Sequence, residues 1–291
     1  MPRQRCGYLK ACPVQYRVAE VNASAAEWDP TNAAHQALLA TQHKAAKAAC
    51  GRRSERLSSG GWCLGASVGV KTLPRNQSYG LPRHHKEADG IVVAALTALL
   101  SQGMSLLDFG AGVGQYGHAL RSLDSRYRWR GYDGAGNVEQ ATNGFVSWFD
   151  LTLPLSLPRA DWVMALEVGE HVPPEHEKMF VRNLHAHNCH GVIVSWARLG
   201  TWGHGHANNR EPAYVAGLFA SLGYRPHDAL TAALRNGTHL LVPGHAAMSG
   251  RNYWFRRAST QAFARTVPLR SPECSRRSSR RRSELKLSTS W

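Results

Sequence analysis

Ser105-Leu-Leu-Asp108-Phe-Gly110-Ala-Gly112-Val-Gly114-Gln-Tyr-Gly117, SLLDFGAGVGQYG, is the stretch on which the fold turns. Its apolar start reads as a strand buried on both faces, with Asp108 at its carboxyl end. Gly110, Gly112 and Gly114 then let the backbone turn sharply and approach a ligand with no Cβ in the way, before Gln115 to Leu123 resumes at helical spacing. A strand, three alternating glycines and a helix N-terminus make a nucleotide-cradling turn.

Working outward, the residues on either side repeat the alternation of strand and helix that builds a parallel sheet. Upstream, Ile91, Val92, Ala95, Leu96, Leu99 and Leu100 share one helical face, and Gly103 ends that helix. Downstream, Tyr127 to Tyr132 reads as a second strand ending in Asp133, and Phe145 to Phe149 as a third, ended by Asp150-Leu151-Thr152. Asp161 to Leu166 is a fourth strand. It runs into Glu167-Val168-Gly169-Glu170-His171, with a helix expected from Glu175 to His187. Gly191 to Trp196 is the fifth, followed by a loop from Ala197 to Asn209 that contains Gly203-His204-Gly205-His206. A helix from Glu211 to Leu222 follows, then two expected strands, Asp228 to Leu234 and one within Tyr253 to Arg265.

Two ligand classes fit the glycine turn. Gly112-Val-Gly114-Gln-Tyr-Gly117 matches the dinucleotide pattern G-x-G-x-x-G, which seats a pyrophosphate on a helix N-terminus. Asp108 argues for a cationic ligand, because a buried carboxylate repels pyrophosphate and attracts ammonium and sulfonium groups. In a parallel sheet Asp133 lies beside the first turn, where a carboxylate accepts both ribose hydroxyls. Asp150 is placed for an adenine amino group, with Leu151 against the ring. For Asp133 and Asp150 the plainer alternative is a turn acid.

Of the net charge of +15, residues 1 to 60 carry +5 and residues 265 to 291 carry +6, against +4 for the remainder. The basic excess therefore lies mostly outside the fold, in arms suited to RNA or another acidic partner. No aromatic and basic stripe or RNA-binding module accompanies them. The expected division is a largely disordered extension over 1–58, one domain over 59–266 and a disordered basic tail over 267–291; Ala33 to Ala49 is the one helical stretch expected in the extension. The six cysteines form no C-x-x-C pair, and neither a zinc site nor a disulfide framework is expected from them. Asn22, Asn76 and Asn236 head glycosylation tripeptides, which matter only on the secretory route. No apolar run is long enough to span a bilayer. A soluble cytoplasmic protein is the default expectation, although Arg3, Arg5, Lys10 and Arg17 also suit a transit peptide.

From Lys86 to about Arg265, the order of strand, glycine turn, acid, acid, E-x-x-E-H and final hairpin resembles the class I S-adenosylmethionine-dependent methyltransferases, in particular a methyltransferase-like branch that shares Tyr132-Asp133-Gly134-Ala135 and the Gly203 to His206 loop. The resemblance implies a Rossmann-like, mostly parallel seven-stranded α/β sheet with helices on both faces and an antiparallel last strand. It implies S-adenosylmethionine as donor, bound by Asp108, Gly110, Gly112, Gly114, Asp133, Asp150, Leu151 and Glu167. Glu167-Val168-Gly169-Glu170-His171 is also similar to the E-V-x-E-H of small-RNA ribose 2′-O-methyltransferases and ubiquinone-pathway O-methyltransferases. That likeness implies a divalent metal on Glu167, Glu170 and His171, with His206 or His204 as the later ligand.

Two carboxylates and two imidazoles suit Mn²⁺, Fe²⁺ or Zn²⁺ better than Mg²⁺. Without metal, His204 or His206 is the candidate general base, because imidazole titrates near neutrality, and Glu170 is the third candidate catalytic residue. The favoured reaction is methyl transfer to an oxygen, with nitrogen second. Two rival readings stay open: an NAD-binding oxidoreductase using the same turn, and a non-catalytic donor-binding protein that recruits RNA or another acidic partner through its arms.

Overall fold

The computed structural model describes residues 31–51, 57–64, 88–154, 156–203, 205–236, 259–267, 269 and 274. Seven strands form one sheet: β1 (Ser105–Phe109), β2 (Arg128–Asp133), β3 (Val146–Trp148), β4 (Ala160–Leu166), β5 (Asn188–Ser195), β6 (Tyr224–Pro226) and β7 (Gln261–Arg265). Their order is β3-β2-β1-β4-β5-β7-β6. All pairings from β3 to β5 are parallel, while β7 runs antiparallel to both β5 and β6. This is the expected Rossmann-like α/β sheet with an antiparallel last strand.

Strand periodicity assigns the side chains to two layers. Leu107, Phe109, Val163, Ala165, Val192, Val194 and Phe263 point to one face, where α5 (Glu177–Ala186) and α6 (Pro212–Ser221) supply Phe180, Leu184, Val215 and Leu218. Leu106, Trp162, Met164, Ile193 and Ala262 point to the other. They are met there by α2 (Gly90–Leu100), α3 (Gln115–Leu123) and α7 (Asp228–Asn236). Covering on both faces is why the centres of β1 and β5, Leu106-Leu107 and Val192-Ile193-Val194, are apolar at consecutive positions. Asp89 starts α2 by accepting the backbone N–H groups of Ile91 and Val92 at 2.8 and 3.3 Å. That cap satisfies donors that the helix cannot. The described chain has two further α-helices, α1 (Ala33–Gly51) before the sheet and the short α4 (Val138–Ala141) after β2, and one turn of 3-10 helix over Pro174–His176.

Three readings of the sequence change. Asp228 to Leu234 is not a strand but most of α7, because Leu230, Ala233 and Leu234 recur at helical spacing and pack on the sheet. The sheet edge is formed instead by the three-residue β6, too short to carry a period of its own. The cysteines do form disulfides: Cys50 to Cys63, and Cys189 to Cys274. Their sequence separations of 13 and 85 residues carry no motif, so only the fold brings each pair together. Cys274 is one of the few described residues of the basic tail; the other arginine-rich stretches lie outside the described residues.

Candidate active site

The carboxyl ends of β1, β2 and β4 converge on the glycine turn. Tyr132 at the end of β2 accepts the backbone N–H groups of Gly110 and Ala111 at 2.8 and 3.0 Å. Gly110 has φ of 76°, and a Cβ there would stand 2.3 Å from the Val168 side chain. Only glycine allows the turn to close against the loop after β4. Asp133 joins the two turns: one carboxylate oxygen accepts the Gly112 N–H and the other the Ala135 N–H, both at 2.8 Å. Burial raises its pKa against the lowering effect of these two bonds.

Asp108 is 3% exposed and accepts the Trp129 indole N–H at 3.2 Å. Burial pushes its carboxyl up to about 7, against the Trp129 hydrogen bond, and the charge of Asp133 adds to the rise. An unfolded aspartic acid ionises near pH 3.9, so between about pH 4 and 7 the folded chain holds a proton that the unfolded chain has released. Stability therefore falls as pH rises through this window, by at most about 1.4 kcal/mol per pH unit from this group. Asp108→Asn keeps an acceptor for Trp129 and cannot ionise. Urea unfolding across pH 4 to 7 is expected to show a shallower decline for this variant than for the wild type.

After β3, one oxygen of Asp150 accepts the Thr152 N–H at 2.9 Å and the Thr152 hydroxyl at 2.7 Å. Leu151 is buried, and its carbonyl accepts the Asn183 side-chain N–H at 2.9 Å. Both residues thus help shape the local turn.

The loop after β4 holds the chemistry-bearing groups. Glu167 is non-glycine with φ of 55°, a sparsely populated backbone state. Its N–H donates to the Ser195 hydroxyl at 2.8 Å, and its carboxylate accepts the Ser259 hydroxyl at 3.5 Å. Glu170 is completely buried, and neither of its carboxylate oxygens makes a well-formed hydrogen bond among the described residues; only its own backbone N–H, that of Ala197 and the Glu167 carboxyl act on it from nearby. Burial, and then the adjacent charge of Glu167, pushes its pKa well above the usual carboxylate range. Glu167 is raised by burial too, so the pair favours holding a proton.

His206 arrives from the loop after β5, its ring edge-on to His171 with centroids 5.1 Å apart. Burial lowers the His206 pKa, which keeps the imidazole neutral near pH 7. Ligating atoms of Glu170, His171 and His206 all lie within 4.8 Å of one another. The structure therefore brings together three of the four expected ligands. Glu167 stands beside the cluster, and His204 lies outside the described residues.

An unforeseen anchor holds this arrangement. Glu177, at the start of α5 and 1% exposed, accepts the Tyr214 hydroxyl at 2.5 Å, the Asn208 amide at 2.9 Å and the Arg210 guanidinium at 2.7 Å. Asn208 and Ala207 in turn donate their backbone N–H groups to the Glu170 carbonyl at 2.9 and 2.8 Å. The residues directly after His206 are thus tied to the residue that faces it. Glutamate at the start of a helix reads as an ordinary helix-end charge in sequence, and its partners lie more than 30 residues away.

No protein-family model matches the sequence, and no curated protein matches it. Among solved structures, the fold is similar to the magnesium protoporphyrin IX methyltransferase of Synechocystis PCC 6803 with SAM bound, at 15% identity and a TM-score of 0.40, covering 60% of this chain and 78% of that one. It is also similar to the methyltransferase domain of the bacterial protein CtHen1-C, at 16% identity and a TM-score of 0.41, covering 60% and 97%. A third is the 1,6-didemethyltoxoflavin-N1-methyltransferase of Burkholderia thailandensis, at 14% identity and a TM-score of 0.40, covering 62% and 80%. With its parallel strands ordered β3-β2-β1-β4-β5, an antiparallel β7 inserted beside β5 and a glycine turn after β1, the chain has a Rossmann-like, mostly parallel seven-stranded α/β fold.

Proposed function

We propose that this chain transfers a methyl group from S-adenosylmethionine to an oxygen of its acceptor, with nitrogen as the second choice, and that a divalent cation assists. The observation that carries this reading is the buried carboxylate of Glu170, without a well-formed hydrogen bond, beside two imidazoles and one loop away from the glycine turn. A buried carboxylate so weakly partnered is costly, and a cation offsets that cost. The donor set of one carboxylate and two imidazoles fits Mn²⁺, Fe²⁺ or Zn²⁺.

In the donor site, each Asp133 oxygen accepts one backbone N–H and keeps a lone pair for a ribose hydroxyl. Gly112 leaves open backbone for the methionine part, Gly110 and Gly114 let the turn close against Val168 and Phe145, Asp108 supports the turn from below, and Asp150 and Leu151 border the adenine. Glu170, His171 and His206 would hold the cation, whose charge lowers the pKa of an acceptor hydroxyl. Neutral His206 is the form that serves either as ligand or as proton acceptor. Transfer then depends mainly on holding the acceptor oxygen in line with the sulfonium methyl. The two disulfides favour an oxidising compartment over the cytoplasmic default.

Calorimetric titration with S-adenosylmethionine, S-adenosylhomocysteine and NAD, with Mn²⁺ and with chelator, tests the reading. Binding of the first two and not of NAD is expected. Asp133→Ala is expected to weaken S-adenosylhomocysteine binding by about 1 to 3 kcal/mol, the range for hydrogen bonds to a charged group. Binding of NAD alone would replace the methyltransferase reading with the oxidoreductase one.

A further inference from the structure

The stretch Leu57–Leu64 lies across the carboxyl edge of the sheet and touches the loops after two different strands. At its end, Leu64 and Asn137 exchange two hydrogen bonds: the Leu64 N–H donates to the Asn137 side-chain oxygen at 2.9 Å, and the Asn137 amide donates to the Leu64 carbonyl at 2.7 Å. A Cβ on Gly61 would stand 3.2 Å from the Gly134 carbonyl, directly after Asp133. On the other side, a Cβ on Gly60 would stand 2.0 Å from the His171 carbonyl oxygen, and the Trp62 ring meets the His171 ring edge-on at 5.1 Å. Because β1 lies between β2 and β4, a segment that reaches both Gly134 and His171 crosses above the glycine turn that ends β1.

Cys63 in the middle of this segment is bonded to Cys50 at the end of α1. That helix is itself seated on the β2 loop, where a Cβ on Gly136 would stand 2.2 Å from the Ala46 carbonyl oxygen. Around the ring that this disulfide closes, the chain is held at both ends. We propose that Leu57–Leu64 is a wall of the donor site, held in place by the Cys50–Cys63 disulfide, and that Trp62 is the positioning residue it contributes. The inference rests on the donor site proposed above. A crosslink over 13 residues removes loop freedom that the donor would otherwise have to restrain on binding, so the oxidised chain is preorganised and the reduced chain is not.

The Cys189–Cys274 disulfide supplies the internal control, because Cys189 lies near the start of β5, at the opposite end of the strand from the site. Calorimetry with S-adenosylhomocysteine is the readout, on the full chain, oxidised and after reduction, and on Cys63→Ser and Cys189→Ser. Loss of the Cys50–Cys63 bond is expected to weaken binding about tenfold, whereas Cys189→Ser stays within about twofold of wild type. Trp62→Ala keeps both disulfides and is expected to weaken binding by about threefold or more, with Trp62→Phe restoring most of it. It decides the matter if Cys63→Ser does not fold. Equal affinity in oxidised wild type, Cys63→Ser and Trp62→Ala would overturn the inference while leaving the donor reading intact. A folded, oxidised wild type that binds no S-adenosylhomocysteine would overturn both.

Discussion

Glu170→Gln is expected to weaken Mn²⁺ binding by about 100-fold or more, since loss of a direct ligand exceeds the 10- to 100-fold cost of losing an outer-shell partner. S-adenosylhomocysteine binding is expected to change by less than about twofold, because the glycine turn and Asp133 are untouched. The same substitution should leave the metal-free protein as stable as the wild type or more so. Glu170 is fully buried with no well-formed hydrogen bond on its carboxylate among the described residues, and its pKa is raised by burial and by Glu167, so replacing it with a group that cannot ionise removes a cost. Metal titration by calorimetry, with thermal melts in chelator, checks both halves. A Glu170→Gln protein that binds Mn²⁺ as the wild type does would leave Glu170 out of any metal site. One that melts far below wild type in chelator would make the residue structural.

Glu177→Ala is expected to produce the opposite pattern, a loss of about 3 to 5 kcal/mol in stability, the range for breaking a buried charge pair by removing one partner. The glutamate is 2% exposed at its side chain and Arg210 only 24%, so the guanidinium would be left largely desolvated. The Tyr214 hydroxyl and the Asn208 amide would lose their acceptor at the same time. Glu177→Gln retains an oxygen for one of these donors and loses only the charge facing Arg210, so an intermediate stability is expected. Urea unfolding of the three proteins measures the series. Because Asn208 is also tied to the Glu170 carbonyl, Mn²⁺ affinity should decline with the alanine variant while it is still folded. Wild-type stability in Glu177→Ala would show that the loop carrying His206 is held by other contacts.

These two glutamates illustrate how unevenly the site is legible in sequence. Glu170 stands out because it lies between a buried apolar strand and a histidine, three residues after another glutamate. Such a cluster at the end of a central strand has few structural uses. Glu177 offers no comparable signal. Its role depends on Tyr214 and Arg210, which approach only after β5 and α6 have been laid down beside it.

Trp62 is a similar case. A Gly-Gly-Trp-Cys-Leu cluster announces packing, but its position over the glycine turn depends on Asn137 and on the disulfide to Cys50. Asp228 to Leu234 reads as strand in sequence and folds as helix because short apolar segments fit either period, and only the sheet beneath it selects the helical face.

Consecutive residues are enough to specify the alternation of strands and helices, the glycine turn and the acids at the strand ends. These are local properties: a run of apolar residues, a missing Cβ and a charge at a strand end act over a few neighbours and are written in consecutive residues. Long-range packing set which cysteines pair and that the three-residue β6 closes the sheet edge beside β7, and it fixed how near His206 comes to Glu170 and His171, which the E-x-x-E-H likeness only implied. Each of those contacts joins residues tens of positions apart or crosses a turn with no periodic signal. Their partners are chosen by the packing of the two core layers, which no short window of sequence contains.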